Sequence, residues 1–281
     1  MRVRHYRRVF LDYAMKLIAV SLAGIVLVLL GCILWTVLVR GMSAVSLPIL
    51  LHSMAEPVEG NVGGIANAVV GSVIQVGLAF LVALPLGVAT GTYLSEFPEN
   101  GRYTAIIGFI NDILLSTPSI LIGLFVYEFS VRRGGGFSAW SGSAALGLIM
   151  LPIIVRSTEE MLRLVPVPLR EAAFALGASR YQVIAPVVWK AARSGIATGV
   201  LLATARAAGE TAPLLFTSVG SPFWSFSIWE PMASLPVMIY QYASSPVPQL
   251  VSLAWVGALV ITVTVLLLNV LAELIFPNRH L

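Results

Sequence analysis

Six apolar stretches alternate with short polar or basic ones along the chain. They run over residues 17–39, 66–90, 104–127, 143–155, 195–220 and 251–276. About 20 apolar residues cross the hydrocarbon core of a bilayer as a helix. The pattern therefore predicts six membrane helices in an all-α integral membrane protein. The fourth stretch is short and interrupted by Pro152, so it needs extension to cross. Six spans would put both termini on one side.

The basic residues say which side. Five of them lie in the basic N-terminus 1–16, then come Arg102, six over 156–193, and Arg279, which makes 13. The opposite loops hold three, Arg40, Arg132 and Arg133. An excess of Lys and Arg marks the cytoplasmic side, so both termini are expected there, including the tail 277–281. The run 17–39 is longer than a signal-peptide core and lacks a convincing cleavage site. It reads as an uncleaved anchor.

Composition agrees with a membrane solvent. Hydrophobic residues make up 58% and charged residues 11%, with mean hydropathy +0.92. A soluble domain carries about 25% charge. The net charge is +4. Because the basic residues sit at segment ends, it points to topology and anionic membrane lipid rather than to nucleic acid. Cys32 is the single cysteine, so neither an internal disulfide nor a cysteine metal site can form. It reads as a small buried hydrophobe.

Two features depart from a plain bundle. Arg206 and Glu210 fall near the middle of the fifth stretch. A charge there costs a few kcal/mol or more, and residues four apart share one helix face. The pair either lines a pathway or gate, or is an ion pair that fixes packing. Thr204, Thr211 and Thr217 offer hydroxyls nearby. The small residues Gly195, Gly199, Ala203 and Ala207 recur every fourth position and favour close helix packing.

The second feature is the stretch 156–193. Pro166 and Pro168 break the chain, and Pro168 suits the start of a helix. Leu169, Ala172, Ala173 and Leu176 then follow helical spacing. Gly177 can close that helix. Ser179 and Gln182 form a capping box that opens another. The result is a helix–turn–helix at the membrane surface. It can dock a partner, or it can simply lie on lipid headgroups.

Other polar positions read as structural. Asn111 and Asp112 are expected near the interface. Ser116, Thr117 and Ser119 are expected to satisfy carbonyls freed by Pro118. The aromatics of SPFWSFSIW, in the loop 221–250, mark the outer interface. No Gly-x-x-x-x-Gly-Lys-Ser/Thr loop occurs, so ATP hydrolysis by that route is excluded. His5, His52 and His280 lie outside the spans, and no nucleophile–His pair is evident.

The segment EAAFALG, Glu171 to Gly177, resembles the cytoplasmic motif of type I ABC importer permeases. Glu171, Ala172, Ala173 and Gly177 match, and Val187 takes the later aliphatic place. Trp189 and Lys190 stand where the general pattern has Leu and Pro. A Lys there is usual in phosphate-specific permeases. GVLLATARAAGETAPLLFT and LPVMIYQYASSP are similar to the PstA-type permeases of phosphate importers. The resemblance extends over most of the chain, a permease core of 63–276, with the first helix matching in position only.

The resemblance implies a heteromeric importer in the bacterial or archaeal inner membrane. Its partners would be a related permease (PstC type), an ATPase dimer (PstB type) and an outer phosphate-binding protein (PstS type). ATP and Mg would be held by the ATPase, with no cofactor on this chain. Leu169, Glu171, Ala172, Ala173, Leu176 and Gly177 would form the coupling helix that enters the ATPase. Phosphate would need positive charge in the bundle, and Arg206 can offer its fork of donors while Glu210 holds or neutralises it. The competing readings are a permease for another oxyanion, such as sulfate or molybdate, and a secondary transporter with broken helices and inverted halves of its own.

Overall fold

The computed structural model describes residues 2–54, 63–97 and 101–275, and among these no strand occurs. The first helix, α1 (Arg2–Ala44), is long and followed by the short α2 (Leu47–Leu51). Next come α3 (Ala66–Glu96), α4 (Gly101–Ser116) and α5 (Ser119–Val126). A π turn over Tyr127–Val131 leads to α6 (Arg132–Gly134), then α7 (Ala139–Arg163), α8 (Val167–Ala175) and α9 (Arg180–Val183). A second π segment, Ile184–Trp189, runs into α10 (Lys190–Ala208). The chain ends with α11 (Ala212–Thr217), α12 (Leu235–Ala243) and α13 (Pro248–Ile275).

Two of the six expected spans are not single helices. Four helices, α1, α3, α7 and α13, are each long and apolar enough to cross a membrane. The third stretch is bent by 106° between α4 and the run 119–134. Pro118 lacks the N–H that the helix requires and disfavours helical geometry in the residue before it. The fifth stretch is also divided: α10 stops at Ala208 and α11 begins at Ala212. Gly209 ends the one, and Pro213 sits in the first turn of the other.

The fourth stretch is longer than its apolar run. α7 has 25 residues and keeps Pro152 inside it. A bundle can re-satisfy the freed backbone groups around such a proline. Its last turns carry Arg156–Glu160 at 2.8 Å and Arg163–Glu159 at 2.6 Å, pairs that support a helix at that spacing.

Close packing of α3 on α7 builds the core. Gly71, Gln75, Ala79, Ala83, Gly87 and Gly91 are all buried and recur every fourth residue along α3. Without a hydrophobic force between helices in lipid, such small residues let backbones approach. A Cβ on Gly87 would lie 2.6 Å from Ile154 Cγ2, and one on Gly91 2.6 Å from the Val155 carbonyl. Leu146, Met150 and Ile154 of α7 meet Val200, Ala203 and Ala207 of α10 in the same cluster. The stripe expected on α10 behaves as predicted: Gly195 faces Met161 and Gly199 faces Ser157.

α1 touches little besides α13. Gly41 fits against Leu259, and Arg40 stacks over Trp255 at 5.2 Å. Cys32, on this helix, is exposed rather than buried, because no described residue covers that face. The tail 277–281 lies outside the described residues.

Candidate functional site

Arg206 occupies the last turn of α10, and Glu210 lies beyond the helix end. The two therefore do not share one continuous helix face as the spacing predicts. A turn joins them, with Gly209 N–H donating to the Arg206 carbonyl and Glu210 N–H to that of Ala207. Arg206 Nε lies 3.6 Å from Glu210 Oε1, with the side chains 58% and 17% exposed. That is an ion pair but not a hydrogen bond. A pair so open contributes on the order of 1 kcal/mol or less in water. Among the described residues the Arg206 side chain makes no hydrogen bond, so its five donors remain available.

The two broken helices meet beside this arginine. Arg206 borders a narrow cleft of about 20 Å³ with Leu114, Thr117, Ser119, Pro152 and Ile153. That is room for about one water. Ser116 and Thr117 donate to the Ile113 carbonyl at 3.0 and 2.7 Å. These hydroxyls serve the backbone beside the break, but at a carbonyl that already accepts Thr117 N–H and not at one freed by Pro118. α5 and α11 cross where Gly123 faces Pro213: a Cβ on Gly123 would be 2.6 Å from Pro213 Cα. Gly123→Ala should therefore push the two broken helices apart and cost roughly 1–3 kcal/mol. Thermal unfolding of the purified protein checks this.

The nearby threonines separate in role. Thr204 donates to the Val200 carbonyl, and the buried Thr217 to that of Pro213, so neither hydroxyl is offered to a solute. Thr211 lines another groove, between α10, α12 and α13. Asp112 is exposed, on a cleft with Asn111, Arg156, Glu159 and Arg163.

The second candidate site is α8. Ala178 N–H bonds the Ala173 carbonyl and Gly177 N–H that of Phe174, which is the Schellman closure. Gly177 takes φ +82°, as the C-terminal reading anticipates. The capping box of Ser179 and Gln182 is also present, with Gln182 Oε1 accepting from Ser179 N at 2.8 Å. The apolar positions of α8 do not form one buried stripe. Ala173 alone packs inward, against the cluster of Leu162, Val165, Val183 and Val188. Leu169, Glu171, Ala172 and Phe174 are exposed, and Leu176 is 90% exposed.

The contact of Arg170 with Glu96 is one that the sequence reading missed. Arg170 leaves α8 on its inner side and forms an ion pair with Glu96, at the end of α3. Spacing gives no sign of it, because the partners are 74 residues apart. Removing one partner of such a buried pair costs about 3–5 kcal/mol.

Four helices long and apolar enough to cross a membrane, with two further stretches broken beside Arg206, define a helical membrane protein. The chain matches the family "Binding-protein-dependent transport system inner membrane component" over residues 83–280. It is 50% identical over 247 residues to "Phosphate transport system permease protein PstA" of Haemophilus influenzae, covering 88% of this chain and 87% of that one. It is 40% identical over 222 residues to "Probable phosphate transport system permease protein PstA" of Methanocaldococcus jannaschii, covering 77% and 78%. The chain belongs to the PstA family of binding-protein-dependent permeases. An inward-facing structure of the MetNI methionine ABC transporter shares the fold, with TM-score 0.61 and 19% identity over 76% of this chain and 93% of that chain. Broken helices alone would also fit a self-sufficient transporter, and the family match decides between the two.

Proposed function

We propose that this protein is the permease subunit of an ATP-driven phosphate importer and forms half of the translocation pathway with a related PstC-type permease. An ATPase dimer of PstB type would supply the energy, and a PstS-type protein would deliver phosphate on the outer side. The observation that carries the reading is Arg206, a guanidinium with free donors beside two helix breaks. Broken helices expose backbone polar groups only where they border protein or a water-filled cavity. An anion crossing there would find positive charge and hydrogen-bond donors together. Reconstitution tests this reading: proteoliposomes holding the complete complex should take up phosphate, dependent on ATP and on the binding protein. Uptake of sulfate or molybdate instead would make the chain a permease for another oxyanion.

The exposed residues of α8 support a docking role. Leu169, Phe174 and Leu176 present apolar surface outside the bundle, and Glu171 beside them is exposed and without an ion pair among the described residues. Such a surface suits a groove on the ATPase. ATP and Mg belong on that subunit, and hydrolysis occurs there.

The charge asymmetry supports an inner-membrane protein with both termini in the cytoplasm. A reporter active only outside the cytoplasm, fused after Leu281, should give no signal. A strong signal there would reverse the topology.

A further inference from the structure

Glu96 ends α3 directly under α8, with its side chain 8% exposed. It is gripped from two elements. Arg170 of α8 donates Nη1 to Glu96 Oε2, and its Nη2 donates to the Leu162 carbonyl near the end of α7 at 2.6 Å. Arg180, the first residue of α9, bonds the Glu96 backbone carbonyl and lays its guanidinium 4.4 Å from the centre of the Phe97 ring. One turn further along α3, Thr92 Oγ1 accepts from Trp189 Nε1 at 3.1 Å. The α8–α9 unit is thus fastened to α3 by polar bonds, while its large apolar side chains Leu169, Phe174 and Leu176 face away. A buried charge pair cannot slide without leaving one charge uncompensated.

α3 then runs as one helix of 31 residues, with Pro85 inside it, about 46 Å to the opposite end of the bundle. There it holds the non-helical segment before α12. Gln75 Nε2 donates to the carbonyls of Met232 and Ala233 at 3.2 and 3.3 Å. Ser72 Oγ accepts from Leu235 N–H at 2.8 Å. Gly71 allows the Ala233 carbonyl so near that a Cβ would sit 2.0 Å from it.

We propose that Glu96 is the positioning residue that makes α3 move with α8, so that displacement of α8 reaches the segment 232–235 through α3. The proposal rests on the assignment of α8 as the ATPase-docking helix. It names the link between that helix and the far side of the bundle.

The test uses the complete complex in proteoliposomes. It reads ATPase retention, the stimulation of hydrolysis by phosphate-loaded binding protein, and phosphate uptake. Coupling between distant sites spans about 5–150-fold. Glu96→Gln is accordingly expected to keep the ATPase bound while stimulation and uptake each fall about tenfold. The conservative change Glu96→Asp, which keeps the charge, is expected to retain much of both. A purely structural pair would instead lower assembly and leave the stimulation of the assembled fraction unchanged. An assembled Glu96→Gln complex with stimulation and uptake equal to the unaltered complex overturns the proposal. If Glu96→Gln does not accumulate, Arg170→Gln is read by the same criteria. Phe174→Asp with Leu176→Asp tests the underlying assignment separately. Retention of the ATPase by that variant overturns the docking role of α8. Its loss, beside unimpaired Glu96→Gln, overturns only the link.

Discussion

Arg206→Gln is expected to yield a complex that assembles, binds its ATPase and takes up almost no phosphate. Gln keeps a donor of moderate size and removes the charge. In the reading of Arg206 as part of the pathway, the anion loses its compensating cation. A charge in the bundle centre costs about 2.5–3.5 kcal/mol on insertion scales, which corresponds to roughly a hundredfold in rate. Assembly should survive because the Arg206 side chain is 58% exposed and makes no hydrogen bond among the described residues. Arg206→Lys separates simple charge from the planar fork: partial uptake points to charge, and near-absence points to bidentate contact. Glu210→Gln separates the pathway role from a brace. If the 3.6 Å pair is a brace, either single change destabilises the complex and the double neutral change restores it. If Arg206 meets the anion, the double variant assembles and still fails to transport. Wild-type uptake by a properly assembled Arg206→Gln complex would end the pathway role.

Much of this was legible in the sequence, for identifiable reasons. Gly177 and the Ser179–Gln182 box are local devices, set by a few adjacent residues, and both formed as read. The two helix breaks were legible only in part. Pro118 was recognised as loosening its helix, but not as a source of a 106° bend. The stretch around Gly209 and Pro213 is apolar enough that hydropathy alone joined it into one span. The stripe along α3 repeats every fourth residue as plainly as the one on α10, and Gln75 within it masked the pattern. The placement of Leu169 and Leu176 outside the bundle could not be read, because helical spacing gives a face and not what covers it. Arg170 and Glu96 were invisible for a different reason: only the fold brings the end of α3 under α8.

Gly177→Leu is expected to leave the protein in the membrane but to lose much of the ATPase from the purified complex. Gly177 has φ +82°, a region that costs an L-residue with a side chain roughly 1–2 kcal/mol. Leu there strains the closure of α8 by that amount, and unwinding to relieve the strain displaces Leu176 and Phe174. Apart from its chain neighbours, no described residue has an atom within 4 Å of the position where a Cβ would be. In the isolated subunit, Ala and Leu should therefore be disfavoured alike by the backbone strain, with open space around the Cβ of either. Gly177→Asn should be nearly silent, because Asn tolerates the left-handed region. The comparison between Ala and Leu thus reads what covers the helix end. If the ATPase surrounds it, Leu retains far less ATPase than Ala and lowers phosphate-stimulated hydrolysis further. If α8 lies only on lipid headgroups, the two variants behave alike. Unchanged transport and ATPase retention in Gly177→Leu would count against α8 as the coupling helix.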